Sequence, residues 1–178
     1  LRSERFRAEP GRPGAIQGDA IIAIYLDSNK QLWLGTYMAG LIRVDQASPT
    51  GTPTFIQYKS SPNDPNTLSS DYLRCILDDG QGGLWIGTGN AGLNHFDPRT
   101  GKVKRYALGK DGNPAMRINA EIFKLDRDAY GTIWMATPDG LNRLNPQTGE
   151  CRGYVHEGPG TISNSNVQTL HVDRSGNL

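Results

Sequence analysis

Apolar residues in this chain come in short alternating runs, each closed by Gly, Asn, Asp or Ser. Ile22, Ile24 and Leu26 alternate and end at Asp27, which predicts a buried strand over 22–26. A polar turn at 28–31 leads into LWLGT (32–36). A second turn at 37–40 leads into 41–45, and a Pro/Gly/Thr loop into 55–58. The plan is then repeated. A second unit has strands over 72–78, 84–88, 93–97 and 103–106, and a third over 120–126, 133–137, 141–145 and 151–154. A fourth opens over 167–173, with the turn 174–177. No helical periodicity interrupts these runs.

LWLGT returns as LWIGT (84–88) and IWMAT (133–137). Trp33, Trp85 and Trp134, the only tryptophans, lie 52 and 49 residues apart (33 to 85, 85 to 134). A period near 50 built of four short strands is the signature of an all-β repeat fold, the β-propeller of four-stranded antiparallel blades. One such sheet cannot bury both of its faces, so each blade needs neighbours. Blades are expected over 19–58, 71–106 and 119–154. The outer strand of a preceding blade is expected near 5–9, and the start of a fourth blade over 166–178. By register Leu178 stands one position before a fourth tryptophan, so the sequence reads as a fragment of a larger, seven-bladed ring. Such a piece made alone is expected to aggregate or oligomerise through its uncovered blade faces.

Aligned on the aspartate that closes each first strand, Ile24, Cys75, Phe123 and Leu170 stand three positions before it. Leu26, Leu77, Leu125 and Val172 stand one before, and parity puts both sets on one face. Asp27, Asp78, Asp126 and Asp173 are expected to anchor turns through their own backbone. They precede their tryptophans by 6, 7 and 8 residues (27 to 33, 78 to 85, 126 to 134). Each Trp is expected to fill the gap between sheets and donate its indole N–H. Gly35 and Gly87 permit close backbone approach, with Ala136 as the substitute, and Thr36, Thr88 and Thr137 suit a bond to the following turn.

Composition narrows the function. With 22 glycines, 11 prolines and 36% apolar residues, turns dominate. Nineteen basic and 18 acidic residues are interspersed, for a net charge of +1. The largest basic cluster, Lys102, Lys104 and Arg105, reads as a solvated strand edge, and nothing suggests nucleic-acid binding. No apolar run is long enough to span a membrane. Cys75 and Cys151 fall at different repeat positions, without ligand spacing; Cys75 stands where other repeats have Ile, Phe or Leu and reads as a small core residue, and nothing in the sequence argues for a disulfide.

Neither a metal nor a cofactor is expected. Asp126-Arg127-Asp128-Ala129-Tyr130-Gly131 opens like a calcium loop but has Thr137 where the closing glutamate belongs. The same stretch is similar to the Asp-box turn of sialidases, itself structural. His95, His156 and His171 sit at unrelated repeat positions beside no nucleophile motif. No catalytic residue is assigned, with His171 and Asp139 the weak candidates. The glycines lie in hairpins, away from any phosphate loop.

ILDDGQGGLWIGTGNAGLNHFDPRTGKVKRY (76–106), preceded by NDPNTLSSDYLR (63–74), resembles the two-component regulator propeller repeat. KLDRDAYGTIWMATPDGLNRLNPQTG (124–149) and IYLDSNKQLWLGTYMAGLIRVD (24–45) follow the same pattern. Departures are Ala39, Ala91 and Asp139 at the first glycine of the G-G-L pair, and Ala136. The resemblance implies a periplasmic sensor region of a hybrid histidine kinase or diguanylate cyclase. Its partners would be further blades, a downstream sandwich domain, a second receptor copy in a homodimer, and an oligosaccharide ligand in some relatives. It implies no membrane contact by this segment.

On a propeller the turns between second and third strands share a face with the blade-to-blade loops. That face offers Tyr37, Met38, Asn90 and Asp139 from the turns, and Asn63, Asn66, Arg117 and Asn164 from the loops. Asp19, Asp71, Asn119 and Asn166 stand where inner strands begin. These are the candidate ligand-binding residues of a non-catalytic sensor. The alternatives are a propeller lyase or hydrolase, such as the streptogramin lyases, and a protein-interaction scaffold.

Overall fold

A computed structural model describes residues 5–18, 20–45, 51–106 and 120–178. Twelve strands form three sheets. The first holds β1 (Ile21–Leu26), β2 (Leu32–Thr36), β3 (Leu41–Asp45) and β4 (Thr54–Tyr58). The second holds β5 (Leu73–Asp78), β6 (Leu84–Thr88), β7 (Leu93–Asp97) and β8 (Lys102–Tyr106). The third holds β9 (Lys124–Arg127), β10 (Ile133–Thr137), β11 (Gly140–Leu144) and β12 (Cys151–Tyr154). Each is an antiparallel meander in sequence order, and neighbouring first strands lie alongside one another. This is the blade arrangement of a β-propeller. Among the described residues no helix is long and apolar enough to cross a membrane.

Alternation sends each sheet's side chains to two different neighbours. Trp33 and Leu41 of the first sheet meet Leu73, Ile76, Leu84, Ile86 and Phe96 of the second. From the other face of the second sheet, Cys75, Trp85, Leu93 and Tyr106 meet Ile122, Leu125, Ile133, Met135 and Leu144. Each large side chain buried this way contributes about 1.5–3 kcal/mol. The glycines of β2 and β6 set the spacing. A methyl added at Gly87 would lie 2.5 Å from Cys75 Sγ and 2.9 Å from Ile122 Cγ2, and one at Gly35 would lie 3.3 Å from Leu73 Cβ.

Several expectations need correction. Ile22, Ile24 and Leu26 are 47%, 70% and 61% exposed instead of buried. Strand pairing makes Ile24, Ile76 and Leu125 equivalent, opposite Leu34, Ile86 and Met135. Ile76 and Leu125 are covered by the preceding sheet, and among the described residues no sheet lies on that side of β1. Cys75 is therefore one position out of the expected set.

Residues 5–9 form no strand. The segment curls back through Glu9 N–H to Ile16 C=O (2.9 Å), the edge amide of Phe55 donates to Gly14 C=O (3.0 Å), and Ile16 packs on Leu34, Ile42 and Val44. Residues 167–173 form no ladder either. They still lean on the third sheet, with Leu170 buried and Val167 N–H donating to Thr137 C=O (3.0 Å).

Arg105 is not a solvated edge residue. Its guanidinium donates to the carbonyls of Ser61, Asp64, Thr67 and Leu68. Cys75 and Cys151 are free and buried, which pushes their thiols up to about 12 and about 11.

Candidate functional site

The turn between first and second strands is built on one aspartate per blade. Asp27 Oδ1 accepts the amides of Asn29 and Gln31, and Oδ2 accepts the Trp33 indole (2.9 Å). Asp128 does the same for Tyr130, Thr132 and Trp134 (3.0 Å). Burial raises the Asp128 carboxyl, but the indole and the two amides outweigh it and hold the group below the usual carboxylate range. In the second blade Asp79 Oδ1 takes Gln81 and Gly83, while Oδ2 takes His95 Nε2 (2.7 Å). His95 also lies against Trp85, with ring centroids 4.4 Å apart. Asp173 accepts Ser175 and Asn177.

The turn anchors are thus Asp27, Asp79, Asp128 and Asp173. Asp78 and Asp126 were expected in that role and have another. Asp78 Oδ2 accepts Ser28 N–H of the preceding blade (2.8 Å). Asp126 Oδ2 accepts Val172 N–H (2.8 Å) and faces His171 Nδ1 (3.0 Å). They tie one blade to the next. A constant spacing of six from Asp27, Asp79 and Asp128 to the tryptophans was the signal that separates the two roles.

At the opposite end of each blade, Thr36 and Thr88 Oγ1 donate to Gly40 and Gly92 C=O (both 2.8 Å) and accept the Ala39 and Ala91 amides. Thr137 donates to Gly140 C=O (2.7 Å). Gly40 has φ +73°, and a Cβ there would strike Tyr58 O at 2.3 Å. The second glycine of the G-G-L pair is the one the turn requires. That explains why Ala39, Ala91 and Asp139 are tolerated at the first.

On this turn face Tyr37 (48% exposed), Met38 (66%), Asn90 and Asp139 are all exposed. Asn63, Asn164 and Asn166 are exposed in the connecting loops. Two of the predicted loop residues hold the loops together. Asp71 Oδ1 accepts Ser60 N–H (2.6 Å) and its Oδ2 pairs with Lys59 (3.4 Å). Asn66 bonds Asp64, and its carbonyl accepts Val103 N–H (2.7 Å). Asp19, Arg117 and Asn119 lie outside the described residues.

Tyr37 is the one predicted residue that leads to a cluster. Its ring meets Tyr72 edge-on at 4.7 Å. Tyr72 lies in turn against the backbone of Gly89, beside Asn90. The Arg74 guanidinium sits over Tyr72 (5.4 Å) and over Phe123 (5.1 Å), and pairs with Glu121 of the third blade. Arg74 stands at the irregular step between Leu73 and Cys75, as Ile22 does between Ile21 and Ala23. Such bulges re-aim a side chain. Here they turn Ile22 and Arg74 toward a groove of about 480 Å³ along the first strands, which Phe123, Asp126 and His171 also line. Tyr72, Arg74 and Glu121 escaped sequence reasoning, and Phe123, expected on the buried face, is half-buried beside Arg74; the bulge that re-aims Arg74 leaves no mark beyond the consecutive apolar run Cys75-Ile76-Leu77.

Among the described residues no group of His, Cys, Asp or Glu is arranged to hold a metal ion.

A family model described as two component regulator propeller matches residues 15–38 and 67–90. The fold is similar to an extracellular domain assigned to a hybrid two component system of B. thetaiotaomicron (TM-score 0.76, 23% identity, 96% of this chain and 22% of that one). It is also similar to an extracellular domain assigned to a one component system of the same organism (0.71, 22%, 93% and 20%). Virginiamycin B lyase of Staphylococcus aureus shares the fold more distantly (0.54, 16%, 79% and 43%). The chain spans about a fifth of the length of the two extracellular domains. A comparison with curated proteins gives no match.

Proposed function

The chain carries two-component regulator propeller repeats, and from that premise we propose that it is a non-catalytic, extracytoplasmic sensor segment of a signal-transduction receptor. Its ligand would be read at the turn face, by the row Tyr37–Tyr72–Arg74–Phe123. That row is the observation that carries the reading. Two exposed or half-exposed tyrosines, a guanidinium and a phenylalanine are lined up across three blades on a scaffold of buried turns. Stacked aromatics beside a charged donor suit a ligand with a flat apolar face and polar edges, a description that includes a sugar ring. Because the row crosses three blades, its occupation would bias their relative positions, which is how a periplasmic event would reach a cytoplasmic kinase or cyclase. A sandwich domain and a second receptor copy are the partners this reading calls for.

A signalling assay on the intact receptor tests it. Replacing Tyr37 and Arg74 by alanine is expected to shift the dose response to higher inducer by about tenfold or more, the weight of one charged contact. An unchanged dose response would remove the row from the mechanism.

One observation favours a second reading, a catalytic propeller. His171 Nδ1 and Asp126 Oδ2 are paired at 3.0 Å at the groove. Under that reading His171→Ala abolishes turnover of a substrate. Under the sensor reading it leaves signalling intact.

A further inference from the structure

Strand pairing sets one residue opposite the tryptophan of each blade. Arg43 stands opposite Trp33 and Arg143 opposite Trp134, but His95 stands opposite Trp85. The surroundings of the first two tryptophans differ as well. The Trp33 ring lies 5.6 Å from Phe96 and 6.2 Å from Tyr58. The Trp85 ring lies 5.3 Å from Tyr106 and 4.4 Å from the imidazole of His95. Leu144 takes the place of Phe96 there, since it pairs with Ile133 as Phe96 pairs with Leu84.

The change carries over to the turn anchor. Asp27 and Asp128 give Oδ2 to an indole, at 2.9 and 3.0 Å, whereas Asp79 gives it to His95 Nε2 at 2.7 Å. Trp85 nevertheless follows Asp79 by six residues (79 to 85), the spacing at which the other two indole bonds form. The Gln81 and Gly83 amides occupy Asp79 Oδ1, so Oδ2 is the oxygen for which the two rings compete. Burial raises the Asp79 carboxyl, but His95 and the two amides outweigh it and leave it lowered, so it is ionised at neutral pH. A carboxylate only accepts, so His95 Nε2 carries a proton and Nδ1 is the nitrogen that gains or loses one.

We infer that Asp79 exchanges partners with pH, holding the His95 imidazolium in acid and the Trp85 indole once the imidazole is neutral. Histidine changes charge between about pH 5 and 8. An ionised donor makes a hydrogen bond roughly twice as strong as a neutral one, and an imidazolium gains further from the tryptophan ring beside it. Losing the proton removes both advantages. A neutral N–H then competes with an indole at the spacing that serves the other blades. Lys104, paired with His95 across β7 and β8, and Arg127 of the third blade line the same cleft and oppose the imidazolium charge. Asp79, the one carboxylate of that lining, favours it. Arg127 also donates to Asp79 C=O, so the exchange takes place at a contact between the second and third blades. Neither partner needs a ligand, and the exchange stands apart from the sensor reading.

The test is two-dimensional NMR of the intact nitrogen-labelled protein, which resolves its three indole N–H groups. Between about pH 5 and 8 the Trp85 signal is expected to move downfield, towards those of Trp33 and Trp134. Its exchange with solvent is expected to slow relative to theirs, with the same midpoint as the His95 ring protons. His95→Arg, which restores the residue of the other blades, is expected to hold the Trp85 signal at its high-pH place throughout. If that variant does not fold, His95→Ala, which removes the competing ring without adding charge, is held to the same outcome. A Trp85 signal that stays fixed, that moves without slower exchange, or that still titrates in the His95 variant would overturn the inference.

Discussion

The first junction between blades is sealed by three aromatic rings, whereas the second is held by two rings and a closer glycine. Trp33 is 1% exposed and Trp85 3%, so both tryptophans are interior groups, and the difference lies around them. At the first junction Phe96 supplies bulk, and a methyl at Gly35 would lie 3.2 Å from Ala23 Cβ and 3.3 Å from Leu73 Cβ, close but not overlapping. At the second, Leu144 supplies less, and the space at Gly87 is filled by Cys75 and Ile122. Similar strand pairing therefore supports one junction that depends on side-chain volume and one that depends on backbone approach. A repeat preserves the register of its strands more faithfully than the means by which its units meet.

Trp33→Ala should break the first junction outright, with a loss of about 3–5 kcal/mol in denaturant unfolding. The same change at the half-buried Trp134 should cost visibly less, and equal losses would contradict the role of burial. Gly87→Ala comes next, at about 1–3 kcal/mol, the cost of forcing a methyl into a filled site. Gly35→Ala should cost a fraction of that, and a reversed order would deny the difference between the junctions. Phe96→Leu should give the first junction the content of the second, lowering stability by about 1 kcal/mol. Quenching of Trp33 fluorescence by added acrylamide would report the opening.

The smallest effect is acidic. Burial raises the carboxyl of Asp78, but the Ser28 amide and side chain, the Gly80 amide and Arg127 outweigh it and leave it lowered. Asp79 is lowered in the same way, as His95, Gln81 and Gly83 outweigh burial. Groups lowered in the folded state contribute stability that is fully present above the ordinary carboxylate value near ~4, and lost as pH falls through the lowered ones. The melting temperature should hold from neutral pH to about 5 and decline below about 4. Asp78→Asn should flatten that decline through the first junction, and Asp79→Asn through the turn and His95 contact of the second blade.

The strands and their pairing could be read from the sequence because apolar alternation, turn residues and a recurring tryptophan all state the same period. The turn anchors were harder. Asp78-Asp79 and Asp126-Arg127-Asp128 each offer two aspartates, and closing the strand on the first of them shifts every equivalence by one or two positions. Only the constant distance to tryptophan distinguishes them. The Tyr37 row was half legible: turn position marked Tyr37, while Arg74 depends on a bulge. Exposure of Ile24 and Leu26 could not be read at all, because their pattern is that of a covered face.

Arg105 gives the molecule a mechanical property. The loop between the first two blades would be slack if it were held only at its ends. One guanidinium on the outer strand β8 instead grips four of its carbonyls. The loop is thereby tied to β8 from Ser61 to Leu68, a few residues before β5 begins at Leu73. Arg105→Ala is expected to leave the strand pairings and the Asp78–Ser28 tie in place while freeing these four carbonyls.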